Sequence, residues 1–118
     1  HCESSAASDV YKRQFIHTAK TLQLDVLLEF HDEGEIPKIL DTNLRYIGIN
    51  NRNLHTLETN VNHTLRIRDK YHKELERFKI VAESGFKTKT ELDQYKANQI
   101  DIFLIGESLL KEKLLKKY

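Results

Sequence analysis

A chain of 118 residues with 39% hydrophobic content is one domain's worth of protein with material for a single core. Its 31% charged residues balance to a net charge of +1, which argues against a polyanion-binding face and gives no reason to expect a nucleic-acid partner. The single cysteine, Cys2, excludes a disulfide framework or a cysteine metal site, and no apolar run approaches the ~20 residues of a membrane span, so a cytoplasmic location is the default expectation.

Residues 4–14, Ser-Ser-Ala-Ala-Ser-Asp-Val-Tyr-Lys-Arg-Gln, resemble a read-through translation of a sequencing adapter. Residues 1–14 are therefore expected to be a non-native or disordered tail, and 15–118 the domain. The chain has no methionine and begins at His1, as expected of a reading frame cut at its 5′ end. Removing the tail leaves the charge unchanged, because Lys12 and Arg13 offset Glu3 and Asp9.

Phe15, Ile16, Ala19 and Leu22 recur at helical spacing and predict the end of a helix. Val26 to Phe30 is a near-continuous apolar run of strand length, as buried parallel strands are, with Glu29 interrupting it. A carboxylate there must reach solvent at the strand end or be held for a purpose. Asp32 and Glu35 have capping-box spacing and open a helix through about Leu40, with Pro37 in its first turn. Arg45 to Asn50 predicts a second strand, in which Gly48 marks a close approach to the backbone. After a polar loop, Asn60 is placed to cap a helix over roughly Val61 to Glu76, with Val61, Leu65 and Leu75 on its apolar side.

Lys79 to Glu83 is a third strand, Thr88 and Glu91 form a second capping box before a helix to about Asn98, and Asp101 to Ile105 is a fourth strand. A last helix starts near Ser108 and bears Leu110 and Leu114. Each of the last two strands ends in a polar turn with glycine, Glu83-Ser84-Gly85 and Gly106-Glu107-Ser108, suited to offering backbone N–H groups to one anion. Strands alternating with helices, without hairpin signals, predict an α/β protein with a parallel sheet. Periodicity alone leaves an open sheet and half of an eight-stranded barrel both standing. The six histidines, at 1, 17, 31, 55, 63 and 72, form no HxH or HExxH pair, so no metal site is expected.

Four segments in order carry a resemblance: Leu27-Leu28-Glu29-Phe30-His31-Asp32, Ile47-Gly48-Ile49-Asn50-Asn51-Arg52-Asn53-Leu54, Val81-Ala82-Glu83-Ser84-Gly85 and Phe103-Leu104-Ile105-Gly106-Glu107-Ser108-Leu109. Together they resemble the C-terminal half of the indole-3-glycerol phosphate synthase family. The resemblance implies four parallel strands with helices, the second half of a (βα)8 TIM barrel running from the end of its fourth helix to the helix after its eighth strand. It also implies a carbon-carbon lyase of tryptophan biosynthesis that closes the indole ring of 1-(2-carboxyphenylamino)-1-deoxyribulose 5-phosphate without metal or organic cofactor.

By the same resemblance Glu29 handles a proton in the later step and Asn50 bonds substrate hydroxyls. Arg52, Glu83 and Ser84 bind substrate, and Gly85, Gly106, Glu107 and Ser108 form the phosphate cradle. Competing structural roles are a solvent-exposed strand end for Glu29 and a pairing with Glu29 for Arg52. The family's catalytic lysines belong to its first and third strands, and Lys79, Lys87 and Lys89 do not replace them, so this chain by itself is expected to be inactive. Half a barrel is further expected to leave two strand edges unpaired and its apolar inner layer exposed, and so to self-associate. The rivals are another phosphate-binding barrel, such as a phosphoribosylanthranilate isomerase, which lacks the Asn50 to Leu54 stretch as it stands here, and a non-catalytic phosphate-binding module.

Overall fold

The computed structural model describes residues 6–106, with side chains from residue 9 onward. Glu107, Ser108 and the expected closing helix lie outside the described residues. Four strands, β1 (Leu27–Phe30), β2 (Tyr46–Asn50), β3 (Lys79–Glu83) and β4 (Ile102–Leu104), form one parallel sheet in the order β1-β2-β3-β4. Each strand pairs with the next in sequence, so every right-handed crossover advances in the same direction and deposits its helix on the same face. A doubly wound sheet would need a reversal of order. The singly wound arc is the arrangement of a barrel wall, which decides the alternative that periodicity leaves open.

Residues alternate between the two faces, and the register fixes which share a face. Phe30, Ile49, Ala82 and Phe103 stand in one row, with Ile47 and Ile80 one step below. They pack with helix residues Ile36, Ile39, Leu65, Ile67, Leu75, Leu92 and Tyr95 into the core. The opposite face carries Leu27, Glu29, Tyr46, Gly48, Asn50, Lys79, Val81, Glu83, Ile102 and Leu104. Expected to be an apolar layer, this face is mixed: Leu27 and Leu104 are 38% and 50% exposed, and two carboxylates, an amide and a lysine stand among the apolar side chains.

The helices follow their local signals in part, and Asn62 rather than Asn60 is the N-cap of the helix that starts at His63, with Asn60 Oδ1 accepting from Asn62 N–H at 2.9 Å. At Thr88 the capping box forms as written, with Glu91 N–H donating to Thr88 Oγ1 at 3.2 Å and Thr88 N–H donating to Glu91 Oε1 at 3.0 Å, and it opens α5 (Lys89–Ala97). Asp32 accepts from Gly34 N–H at 3.1 Å and starts a single 3-10 turn, Glu33–Glu35, that runs into α2 (Ile36–Leu40). The long helix expected over Val61 to Glu76 is instead two, α3 (His63–Lys70) and α4 (His72–Leu75), broken at Tyr71, whose φ of −112° leaves the helical region. Buried Ile67 and Leu75 and half-buried Tyr71 all join the core on either side of the break. α1 (Ala6–Thr21) begins earlier than Phe15 and continues through residues set aside as tail. Ion pairs Arg13–Asp41 at 3.0 Å and Lys38–Asp9 at 3.3 Å lay it against α2, so from Ala6 onward this stretch is helical rather than disordered. No described helix is long and apolar enough to cross a membrane.

Candidate active site

At the carboxyl ends of the strands the register brings Asn50 directly beside Glu83 and sets Glu29 beside Gly48. Gly48 is needed there because a Cβ would lie 2.0 Å from Glu83 Oε2 and 3.2 Å from Glu29 Cγ. The close approach expected at Gly48 is thus made by two carboxylate side chains leaning over one bare stretch of backbone.

Their environments differ. Glu29 is exposed on the open face, while Glu83 is 3% exposed and its Oε2 is buried without a hydrogen-bond partner among the described residues. Burial, and then the neighbouring Glu29, push the Glu83 carboxyl up to about 7. Glu83 can therefore hold a proton near neutrality beside the exposed Glu29 side chain.

A cleft of about 600 Å³ is lined by Arg52, Thr59, Val61, Glu83, Ser84, Gly85, Phe86, Lys87, Glu91, Leu104, Ile105 and Gly106. It gathers five of the residues singled out in the sequence: Arg52, Glu83, Ser84, Gly85 and Gly106. Arg52 does not ion-pair with Glu29. Its Nε donates to Thr59 Oγ1 at 3.2 Å, and its backbone N–H donates to Asn50 Oδ1 at 3.0 Å, which closes a tight turn after β2. Glu29 and Asn50 line an adjoining space of about 930 Å³ with His31, His63 and Arg66. Ser84 and Gly85 both take left-handed backbone, at φ 74° and 85°, and a Cβ on Gly85 would lie 2.5 Å from Thr59 Cγ2.

A model of the indole-3-glycerol phosphate synthase family matches residues 5–118. The chain belongs to the indole-3-glycerol phosphate synthase family. It is 39% identical over 113 residues to the tryptophan biosynthesis protein TrpCF of Helicobacter pylori (strain ATCC 700392 / 26695), covering 96% of this chain and 24% of that protein. It is 41% identical over 108 residues to the indole-3-glycerol phosphate synthase of Endomicrobium trichonymphae, covering 87% of this chain and 38% of the relative. To the synthase of Petrotoga mobilis (strain DSM 10674 / SJ95) it is 34% identical over 100 residues, covering 83% of this chain and 40% of the relative. The chain thus spans 24%, 38% and 40% of the length of these three relatives. Membership of this family makes the four-stranded arc part of a TIM barrel.

Sequence reasoning missed several residues of this candidate site. Lys87, which does not replace the family's catalytic lysines, lines the cleft that holds Arg52. His31 and His63 stack with ring centroids 4.1 Å apart. His31 Nδ1 donates to Asn50 O at 2.7 Å and His63 Nε2 donates to His31 O at 2.6 Å, which anchors the end of β1 to the end of β2 and the start of α3. Burial holds the His63 imidazole below its usual value. No spacing rule joins residues so far apart in sequence, and only the parallel register brings them together.

The raised Glu83 carboxyl has a measurable consequence. Between an unfolded value near 4.5 and a folded value of about 7, the folded chain binds the extra proton, so this group's contribution to stability is full below that window and is lost as pH rises through it. Glu83→Gln is expected to leave stability unchanged near pH 4.5 and to raise it by roughly 1–2 kcal/mol near pH 8, allowing for solvent beside the site. Urea unfolding of both proteins at the two pH values checks this. His63, whose contribution runs the other way and is lost on acidification, is common to both and cancels in the difference. Parallel pH profiles for the two proteins would show that Glu83 titrates as an ordinary carboxyl.

Proposed function

We propose that this chain supplies the phosphate-binding and ketose-binding side of an indole-3-glycerol phosphate synthase. In this reading the parent enzyme closes the indole ring of 1-(2-carboxyphenylamino)-1-deoxyribulose 5-phosphate with loss of CO2 and water. The observation that carries the proposal is the single cleft gathering Arg52, Glu83, Ser84, Gly85 and Gly106 at the carboxyl ends of neighbouring parallel strands, where barrel enzymes hold phosphorylated substrates.

In this reading the phosphate sits against backbone N–H groups around Gly85 and Gly106, with Glu107 and Ser108, outside the described residues, completing the cradle through the next N–H and a hydroxyl. Arg52 and Lys87 add positive charge along the same cleft. Asn50 commits its carbonyl oxygen to the Arg52 turn and turns its NH2 to a substrate hydroxyl. Glu29, exposed at the strand end, takes the proton in the dehydration step, while Glu83, able to hold a proton near neutrality, donates a hydrogen bond to a substrate oxygen. A cytoplasmic location goes with this assignment.

The acid and the lysines at the ketose belong to strands that do not occur among these residues, so the 118-residue chain by itself forms no product. Among the described residues, β1 and β4 each bond a neighbour on one side only. We assign those edges and the open face to the remaining strands of the barrel, and in their absence to association of the chain with itself. The test is formation of indole-3-glycerol phosphate from the ketose phosphate. The expected result is none with this chain alone, and turnover when it is co-expressed with the preceding half of a relative such as the Petrotoga mobilis synthase. Product from the isolated chain, or none from the complemented one that nevertheless assembles, would overturn the proposal.

A further inference from the structure

Asn51 follows Asn50 at the end of β2, and its side chain is wholly buried. Its carboxamide is fully engaged. Oδ1 accepts from Thr64 N–H at 2.9 Å and from Thr64 Oγ1 at 2.7 Å. Nδ2 donates to Ser84 O at 3.1 Å and to the Tyr95 hydroxyl at 3.2 Å. The Tyr95 hydroxyl in turn donates to Val61 O. The backbone joins in, with Asn51 N–H donating to Glu83 O at 2.8 Å and Asn51 O accepting from Asn60 N–H at 3.0 Å. One amide side chain thus ties together the end of β2, the start of α3, the turn after β3 and helix α5.

We infer that Asn51 is a positioning residue for the anion cradle, acting through its hydrogen bond to the Ser84 carbonyl; this rests on the reading of the Ser84–Gly85 turn as the phosphate site. Two facts make that bond more than packing. First, Ser84 has φ 74°, a left-handed conformation that strains a non-glycine residue and persists only where the surroundings hold it. Asn51 supplies that hold. Second, a trans peptide points its C=O and the following N–H in opposite directions. Drawing the Ser84 carbonyl inward to the buried carboxamide therefore aims the Gly85 N–H outward, toward the cleft that Gly85 lines.

Tyr95 separates positioning from mere support, because Tyr95→Phe removes the hydroxyl from the same hub and leaves the Asn51 to Ser84 bond in place. The experiment uses the 118-residue chain with inorganic phosphate as the probe, read by backbone and side-chain amide NMR together with thermal unfolding. Asn51→Ala is expected to shift the Ser84 and Gly85 amide resonances and to weaken phosphate binding about tenfold, the worth of one such hydrogen bond. Tyr95→Phe is expected to lower the unfolding midpoint while leaving phosphate affinity within about twofold.

Equal losses of phosphate affinity in the two variants, or Ser84 and Gly85 resonances unmoved in Asn51→Ala, would overturn the inference. Those resonances shifting in Asn51→Ala while the unmodified chain binds no phosphate would refute the cradle and uphold the positioning of the turn. If Asn51→Ala does not fold, the unmodified chain decides. Its Asn51 side-chain amide protons are expected to shift with the Ser84 and Gly85 amides as phosphate is added, and a carboxamide that stays fixed while they move overturns the proposal.

Discussion

Alanine in place of Gly85 is expected to lower the stability of the chain by roughly 2–5 kcal/mol and to abolish phosphate binding. Two independent costs add. At φ 85° a residue with a Cβ is strained by about 1–2 kcal/mol, and the new methyl would lie 2.5 Å from Thr59 Cγ2, an overlap whose relief costs a further ~1–3 kcal/mol. Thr59 is a poor candidate to yield, since its branched side chain is stiff and its Oγ1 holds the Arg52 guanidinium at 3.2 Å. Pushing it away moves the cation as well as the turn. The double variant Gly85→Ala with Thr59→Ser removes the methyl, keeps the hydroxyl, and should recover the overlap share of the loss but not the backbone share. Denaturant unfolding of the three proteins, with phosphate titration by calorimetry, checks both parts; a Gly85→Ala protein as stable as the original would contradict them.

Gly48→Ala is expected to act in the opposite manner, with little effect on stability and a large one on the site. The added Cβ would fall 2.0 Å from Glu83 Oε2, which is the far end of a side chain that can swing away. Alanine also removes the entropic cost of glycine in a strand, about 0.5–1 kcal/mol, so the net change in stability is small. The carboxylate, however, must leave its buried niche for the open face, away from Glu29. Its titration midpoint, followed by carboxyl-carbon NMR, should fall from about 7 toward the ordinary value of 4.5. In the complemented enzyme the same displacement should cost about 10²-fold in turnover, the scale of an ångström-sized misplacement in an active site. A midpoint that stays near neutrality would show that Glu83 is perturbed by something other than its seat over Gly48.

Much of this was legible locally. The strands follow from apolar runs of the right length, and Lys79–Glu83 forms with the bounds its sequence predicts, an exposed lysine followed by four buried residues. The Thr88–Glu91 box reads directly because both partners lie within one turn. Gly48 was legible as a close approach but not as to what approaches, since Glu83 is 35 positions away and meets it only through the β2–β3 register. The break at Tyr71 was not legible at all, because no glycine or proline marks it.

The sequence by itself determined the alternation of strands and helices, the family, and the polar turns that end each strand, because these depend on residue types at short spacing. Tertiary structure decided that the strands advance in one direction as a barrel arc, that Arg52 turns to Thr59 rather than to Glu29, and that the Glu83 carboxyl is buried and raised toward neutrality. It also decided that Asn51, one of two adjacent asparagines with identical chemistry, is buried as the hub beneath the cradle while Asn50 faces the cleft side. The physical reason is the two-residue period of the strand: neighbours in sequence are sent to opposite faces, and which face meets the core is settled only when the sheet and its helices pack.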